Sequence, residues 1–220
     1  MTRNSSPMRR LEAKGLKAVV QLNFNFHGYR FQESAKIVHA SFRSAAQALR
    51  ADVERAENEA VAYQKYLDEG GEWIGEREDG HVLWDQEQVL DMRIEAGNEA
   101  LMALRKAFVI ALYHYWERAI RVSTGGNDRA KHDELVALAI AMGITIRPGL
   151  AAIRDLVNLL KHDNAKWGNA LRRSWSNLFH PGFQPSAVRA DWYNAVTLTD
   201  DDVALVYETV AGSGPNLRSP

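Results

Sequence analysis

The stretch ESAKIVHASFRSAAQALRADVERAENEAVAYQKYLDE, residues 33 to 69, decides how the rest of the chain is read. Its apolar positions, Val38, Phe42, Ala45, Leu49, Val53, Ala56, Ala60, Tyr63 and Leu67, recur in steps of three and four, the spacing of one face of an α-helix. Acidic and basic residues fill the other faces. The spacing predicts a helix of about ten turns, well beyond the usual globular length. Such a helix packs lengthwise, against another long helix or a second subunit.

Downstream, Gly70 and Gly71 end the helix, and Trp73-Ile74-Gly75 with Asp79-Gly80 and His81-Val82-Leu83-Trp84 reads as a short hairpin or ordered loop. Asp85 followed by Gln88 resembles a capping box. From there Val89, Met92, Leu101, Leu104, Phe108, Ala111, Leu112, Tyr115 and Trp116 form a second stripe, predicting a helix to about Val122 that pairs antiparallel with the first. Thr124 to Asp128 is a break, and His132 to Met142 makes a third helix closed by Gly143. Pro148 suits the first turn of a fourth helix that runs to about Phe179, with an interruption at Asn164 to Gly168 left open. Thr199 with Asp202 caps a last helix through Val210. The expected fold is an all-α helical bundle with two long antiparallel helices and a short hairpin-like insert. Its expected parts are a partly disordered N-terminal arm over residues 1–32, a helical domain over 33–211 and a disordered tail over 212–220.

Composition sets the outer bounds. With 46% apolar and 25% charged residues, the 220-residue chain fits one globular domain. Lys+Arg 27 against Asp+Glu 28 leaves a net charge near zero, so a nucleic-acid role needs a local basic patch. Cysteine is absent, which removes disulfides, thiolate metal sites and cysteine nucleophiles and fits a reducing compartment. No apolar segment follows the first seven residues, and no run approaches the roughly 18 apolar residues of a membrane span. A cytoplasmic protein with no membrane association is expected.

The segment IRDLVNLLKHDN, from Ile153 to Asn164, carries the chemistry. At helical spacing Leu150, Ile153, Val157, Leu160, Trp167 and Leu171 share a buried side, and Arg154, Asn158, Lys161 and His162 fall within a sector of about 100° beside it. A histidine near neutral pKa can move a proton from a ribose hydroxyl while arginine and lysine stabilise charge on phosphate oxygens, so this flank suits phosphodiester chemistry without a metal. The plainer reading is architectural. Arg154 then pairs with a carboxylate of the preceding helix, and Asn158 and His162 satisfy buried polar groups.

Arg154-Asp155 followed by His162, the long helix ending in His114-Tyr115-Trp116-Glu117-Arg118 and the short C-terminal helix together resemble the HEPN superfamily. These helical-bundle proteins include toxin ribonucleases, anti-phage effectors and CRISPR-associated ribonucleases. The resemblance runs loosely from Leu83 to Gly214. Seven residues separate Arg154 from His162, one more than the family's catalytic motif allows. The resemblance implies a metal-independent endoribonuclease of a toxin or phage-defence system, with His162 as general base or acid, Arg154 as phosphate clamp, Asn158 and Lys161 assisting and Glu117 orienting. It also implies a homodimer with a composite site, an RNA substrate and an antitoxin or defence-system partner protein. The alternative it leaves is a non-catalytic HEPN-like interaction or nucleotide-binding module acting through a partner protein.

Two further groupings complete the reading. Trp167, Trp175, Phe179, Phe183, Trp192 and Tyr193, interleaved with Arg172, Arg173 and Arg189, either form an RNA-stacking patch or pack a C-terminal segment onto the bundle. Arg172, Arg173 and Trp175 are the RNA-binding candidates. His114 and Glu117, with Glu95 or Glu99, lack the repeated Glu-x-x-His of ferritin-like bundles, so neither a metal nor another cofactor is expected.

Overall fold

A computed structural model describes residues 25–186 and 190–217. Among the described residues the regular elements are helices apart from one hairpin: α1 (Phe26–Asp68), β1 (Gly75–Glu78), β2 (His81–Asp85), α2 (Gln86–Thr124), α3 (His132–Ala141), α4 (Leu150–His162), α5 (Ala165–Ser174), a 3-10 turn (Ser176–Leu178), α6 (Trp192–Ala195) and α7 (Asp200–Gly212). No helix among the described residues is long and apolar enough to cross a membrane. The all-α bundle with two long helices and a hairpin insert is the observed architecture.

α1 begins at Phe26, about two turns ahead of the expected Glu33. The Asn25 side chain caps it by accepting from the Gly28 amide at 2.9 Å. Phe31 is buried and stacks on Tyr115, ring centroids 5.3 Å apart. Residues 26–32 therefore belong to the helical domain and not to an N-terminal arm. Gly28 interrupts the apolar stripe in sequence, yet no other residue fits: a Cβ there would lie 2.1 Å from the Asn216 carbonyl oxygen.

That close approach corrects the other boundary too. Residues 212–217, expected in a disordered tail, pack against the bundle. The buried Trp116 indole donates to the Ser213 carbonyl at 2.8 Å, and Gln32 donates to the carbonyls of Ala211 and Pro215 at 2.9 and 3.0 Å. Such satisfied backbone outweighs the turn-like composition of Gly212-Ser213-Gly214. The rest of the expected arm, residues 1–24, and of the expected tail, residues 218–220, lies outside the described residues.

The hairpin turns at Asp79-Gly80, both at positive φ (48° and 81°), as a tight two-residue reversal requires. Asp85 then caps α2, accepting from the Gln88 amide at 2.8 Å, and Gly125 closes it at φ 63°. The fourth helix expected to reach about Phe179, with an interruption left open, is two helices that end at Ser174. Asp163 takes the left-handed conformation (φ 41°), its carboxylate accepts from the Tyr193 amide at 2.7 Å, and Asn164 caps α5 by accepting from Trp167 at 3.3 Å. Phe179 lies in extended backbone bridged to Val196.

The core gathers where α2 meets α1, α3, α4 and α7, around Trp116, Phe42, Leu112, Ile120, Leu135 and Leu156. α7 follows α1 from Gln32 to Arg50, where Asp200 receives Arg50 and, at 2.9 Å, Arg105 of α2. Beyond that clamp α1 and α2 continue as a two-helix stalk tipped by the hairpin. Within residues 51–99 only Val53, Ala56 and Leu90 are buried. The α7 cap is reciprocal: Thr199 Oγ1 accepts from the Asp202 amide at 3.1 Å while Asp202 accepts from the Thr199 amide at 2.8 Å. Thr199→Ala is expected to lower unfolding stability by about 1 kcal/mol in urea titration.

Candidate functional site between α2, α3 and α4

Tyr113 and Glu117 stand one turn apart on α2, and Arg154, Asn158 and Lys161 occupy successive turns of one flank of α4. The glycine break after α2 folds the chain back so that the first turn of α3 lies over Tyr113, a position secured by Arg121 donating to the Ala130 carbonyl at 3.1 Å. Together with Lys131, His132, Asp133, His114 and Trp167, these side chains line a cleft of about 330 Å³.

His132 holds the centre of the network. Its Nδ1 lies 2.8 Å from the Tyr113 hydroxyl. Burial, reinforced by Glu117, pushes the Tyr113 pKa far up, so the phenol keeps its proton. Where the phenol accepts from Nδ1–H, Nε2 is the bare nitrogen.

Burial also pushes His132 below the ordinary imidazole value of 6.5, and Arg154 acts the same way, against the opposing pull of Asp133, Glu117 and Asp155. Its place at the first residue of α3, the positive end of the helix dipole, further disfavours the imidazolium. His132 is thus neutral at pH 7. Beside it, Glu117 accepts from His114 at 2.9 Å. Arg154 donates to Asp155 at 2.9 Å and to Asp133 at 3.2 Å, and its guanidinium sits 6.0 Å from the Trp167 ring centre.

The structure thus brings together Arg154, Asn158, Lys161 and Glu117 of the residues singled out in sequence. His162, exposed at the end of α4, is not among the side chains lining the cleft. Arg172 and Arg173 are exposed in the last turn of α5, and Trp175 packs half-buried on the core; none of the three lines the cleft. Phe179, Phe183 and Trp192 pack on one another, with ring centroids 4.8 to 6.1 Å apart, which favours the packing reading for them. Among the described residues no group of three or more histidine or acidic side chains is placed to hold a metal ion.

His132 and Tyr113 were not legible as site residues. Tyr113 could have been found by its one-turn spacing from Glu117, but His132 lies across a turn and carries no local signal beyond its place at a helix start. A larger recess, about 580 Å³ between α1 and α7, is lined by His39, Arg43, Gln47, Arg50 and Asp200. Its Asp200 carboxylate is already neutralised by Arg50 and Arg105, and the smaller cleft holds the more reactive set.

No protein-family model, curated protein or solved structure matches the chain. What the cleft can do is therefore judged from its own chemistry.

One consequence is thermodynamic. His132 and His39, whose pKa burial and Arg43 also lower, titrate below 6.5 in the folded chain and near 6.5 when unfolded. As pH falls through that value the unfolded chain takes up protons first, so stability present above it is lost. Denaturant midpoints are expected to fall between about pH 7.5 and 5.5, before carboxylates titrate, and the fall is expected to shrink in His132→Gln.

Proposed function

We propose that the protein is a HEPN-like, metal-independent endoribonuclease of the toxin or phage-defence kind, acting in the cytoplasm as a homodimer and restrained by an antitoxin or defence-system partner protein. The cleft between α2, α3 and α4 is its active site. One observation carries this reading: a histidine held below its ordinary pKa, its Nδ1 hydrogen-bonded to Tyr113, shares a cleft with Arg154, Lys131 and Lys161.

In this reaction His132 Nε2 takes the proton of a ribose 2′-hydroxyl. The 2′-oxygen attacks phosphorus, the bond to the 5′-oxygen breaks, and that oxygen leaves with a proton from water or from His114. The products are a 2′,3′-cyclic phosphate and a 5′-hydroxyl. Arg154, Lys131 and Lys161 face the non-bridging oxygens, where negative charge grows, and the Asn158 amide donates to them. Trp167 offers a ring for an adjacent base. The base is thus His132 rather than His162, and the spacing from Arg154 to His162 has no part in the step.

The test is direct. Purified protein in EDTA is expected to cut RNA to cyclic-phosphate ends and to leave DNA, which lacks the 2′-hydroxyl, intact. Folded protein inert toward mixed RNA would reject the reading. The rival, a non-catalytic module, is favoured by one fact: Arg154 is already engaged by Asp155 and Asp133. It predicts nucleotide or partner binding in the cleft without turnover.

A further inference from the structure

The near-zero net charge of the chain hides a separation along α1. From Asp52 to Glu99, the stalk and its hairpin, there are fifteen carboxylates and four basic residues; the rest of the chain has thirteen and twenty-three. These are charges of −11 and +10, which cancel to the −1 of the whole. Within α1 the order runs against the helix dipole, with Arg30, Lys36, Arg43 and Arg50 ahead of Ala51 and Asp52, Glu54, Glu57 and Glu59 just beyond it. Helix stability does not explain it.

The acidic stalk is also where apolar surface is exposed. Among the described residues, nine of the sixteen large apolar side chains left exposed lie on it, including Val61, Tyr66, Ile74, Leu83, Trp84 and Met92. A two-stranded hairpin is marginal by itself in water, and a patch of this kind marks an interaction surface. The complement lies at the opposite end of α1. Between the first turns of α1 and the last turns of α2, His27, Arg30 and Arg118 rim a groove of about 310 Å³ whose walls include Phe31, Tyr115 and Val122. In sequence, residues 1–24 carry five basic residues against one acidic.

We propose that two copies of the chain pair antiparallel about a two-fold axis crossing the middle of α1, each acidic hairpin seating its apolar side chains in the other copy's basic groove. At 43 residues α1 is about 65 Å long, with the hairpin at one end and the groove at the other. One side-by-side antiparallel pairing therefore fills both grooves at once and closes as a dimer. Hairpin against hairpin is disfavoured, because it would set two stalks of charge −11 together. The pairing uses no residue of the α2–α3–α4 cleft, so a dimeric but inert protein would reject the ribonuclease reading alone.

Sedimentation of the full chain tests the pairing. In about 0.1 M salt the wild type is expected at twice 24.7 kDa, weakening toward 1 M as the screening length falls from about 10 to about 3 Å. Glu72→Lys/Glu78→Lys/Glu87→Lys and Arg30→Glu/Arg118→Glu reverse hairpin and groove at exposed positions, and circular dichroism checks that each variant folds. Each alone is expected to dimerise at least tenfold more weakly, and an equal mixture of the two is expected to restore a heterodimer. A 24.7 kDa wild type at micromolar concentration, a dimer insensitive to both reversals, or a mixture that stays monomeric would overturn the proposal.

Discussion

His132→Ala is expected to lower RNA cleavage by on the order of 10² to 10⁴, the worth of a positioned base, with the helical spectrum unchanged. The imidazole is half-buried at the start of α3, where its removal opens a polar cleft and leaves the core around Leu135 and Leu156 untouched. His162→Ala is expected to leave the rate near wild type, because that side chain lies in solvent outside the cleft. The pair separates two assignments that the sequence motif merges. Loss of activity in His162→Ala with retention in His132→Ala would return the chemistry to the end of α4. Tyr113→Phe supplies a finer check. It removes the hydroxyl hydrogen-bonded to His132 Nδ1, so kcat is expected to fall while substrate KM stays close to wild type.

Trp116→Ala is expected to be the most damaging single change to stability. The indole is fully buried in the C-terminal third of α2, and truncating a buried tryptophan costs about 3 to 5 kcal/mol. It also strands the buried Ser213 carbonyl, the bond that ties residues 212–217 to the bundle. At roughly 2 to 4 °C per kcal/mol for a chain of this size, a Tm loss of about 10 °C or more is expected by calorimetry. Trp116→Phe keeps most of the packing and loses the bond, so its loss should be smaller. A Trp116→Ala protein melting within a degree or two of wild type would show that the C-terminal segment is not anchored there. Trp116 also backs His132, with ring centroids 5.7 Å apart, so the core that holds the tail positions the cleft as well.

The two long helices, the Asp79-Gly80 hairpin and the caps at Asp85 and Thr199 were legible because each is a local fact. A period of three and four, a turn dipeptide or a carboxylate three residues ahead of an amide acts between neighbours in the chain, and no distant partner need be known. Arg154, Asn158 and Lys161 were legible for the same reason, since one α4 flank collects them whatever that flank faces.

What α4 faces depends on tertiary packing. The break at Asp163 is made by the Tyr193 amide, thirty residues away, and the docking of residues 212–217 is made by Trp116 and Gln32. His132 joins Tyr113 and Arg154 only because the turn after Gly125 carries α3 back across α2. Charge shows the same division. The sequence determined by itself how many charges there are and in what order, yet an overall balance near zero says nothing of an acidic stalk and a basic groove at opposite ends of one helix. Periodicity and capping are settled within a few residues, so the sequence alone determined the helices. Burial, pKa and the meeting of side chains depend on which distant surface removes water from each group, and only the tertiary structure decided those.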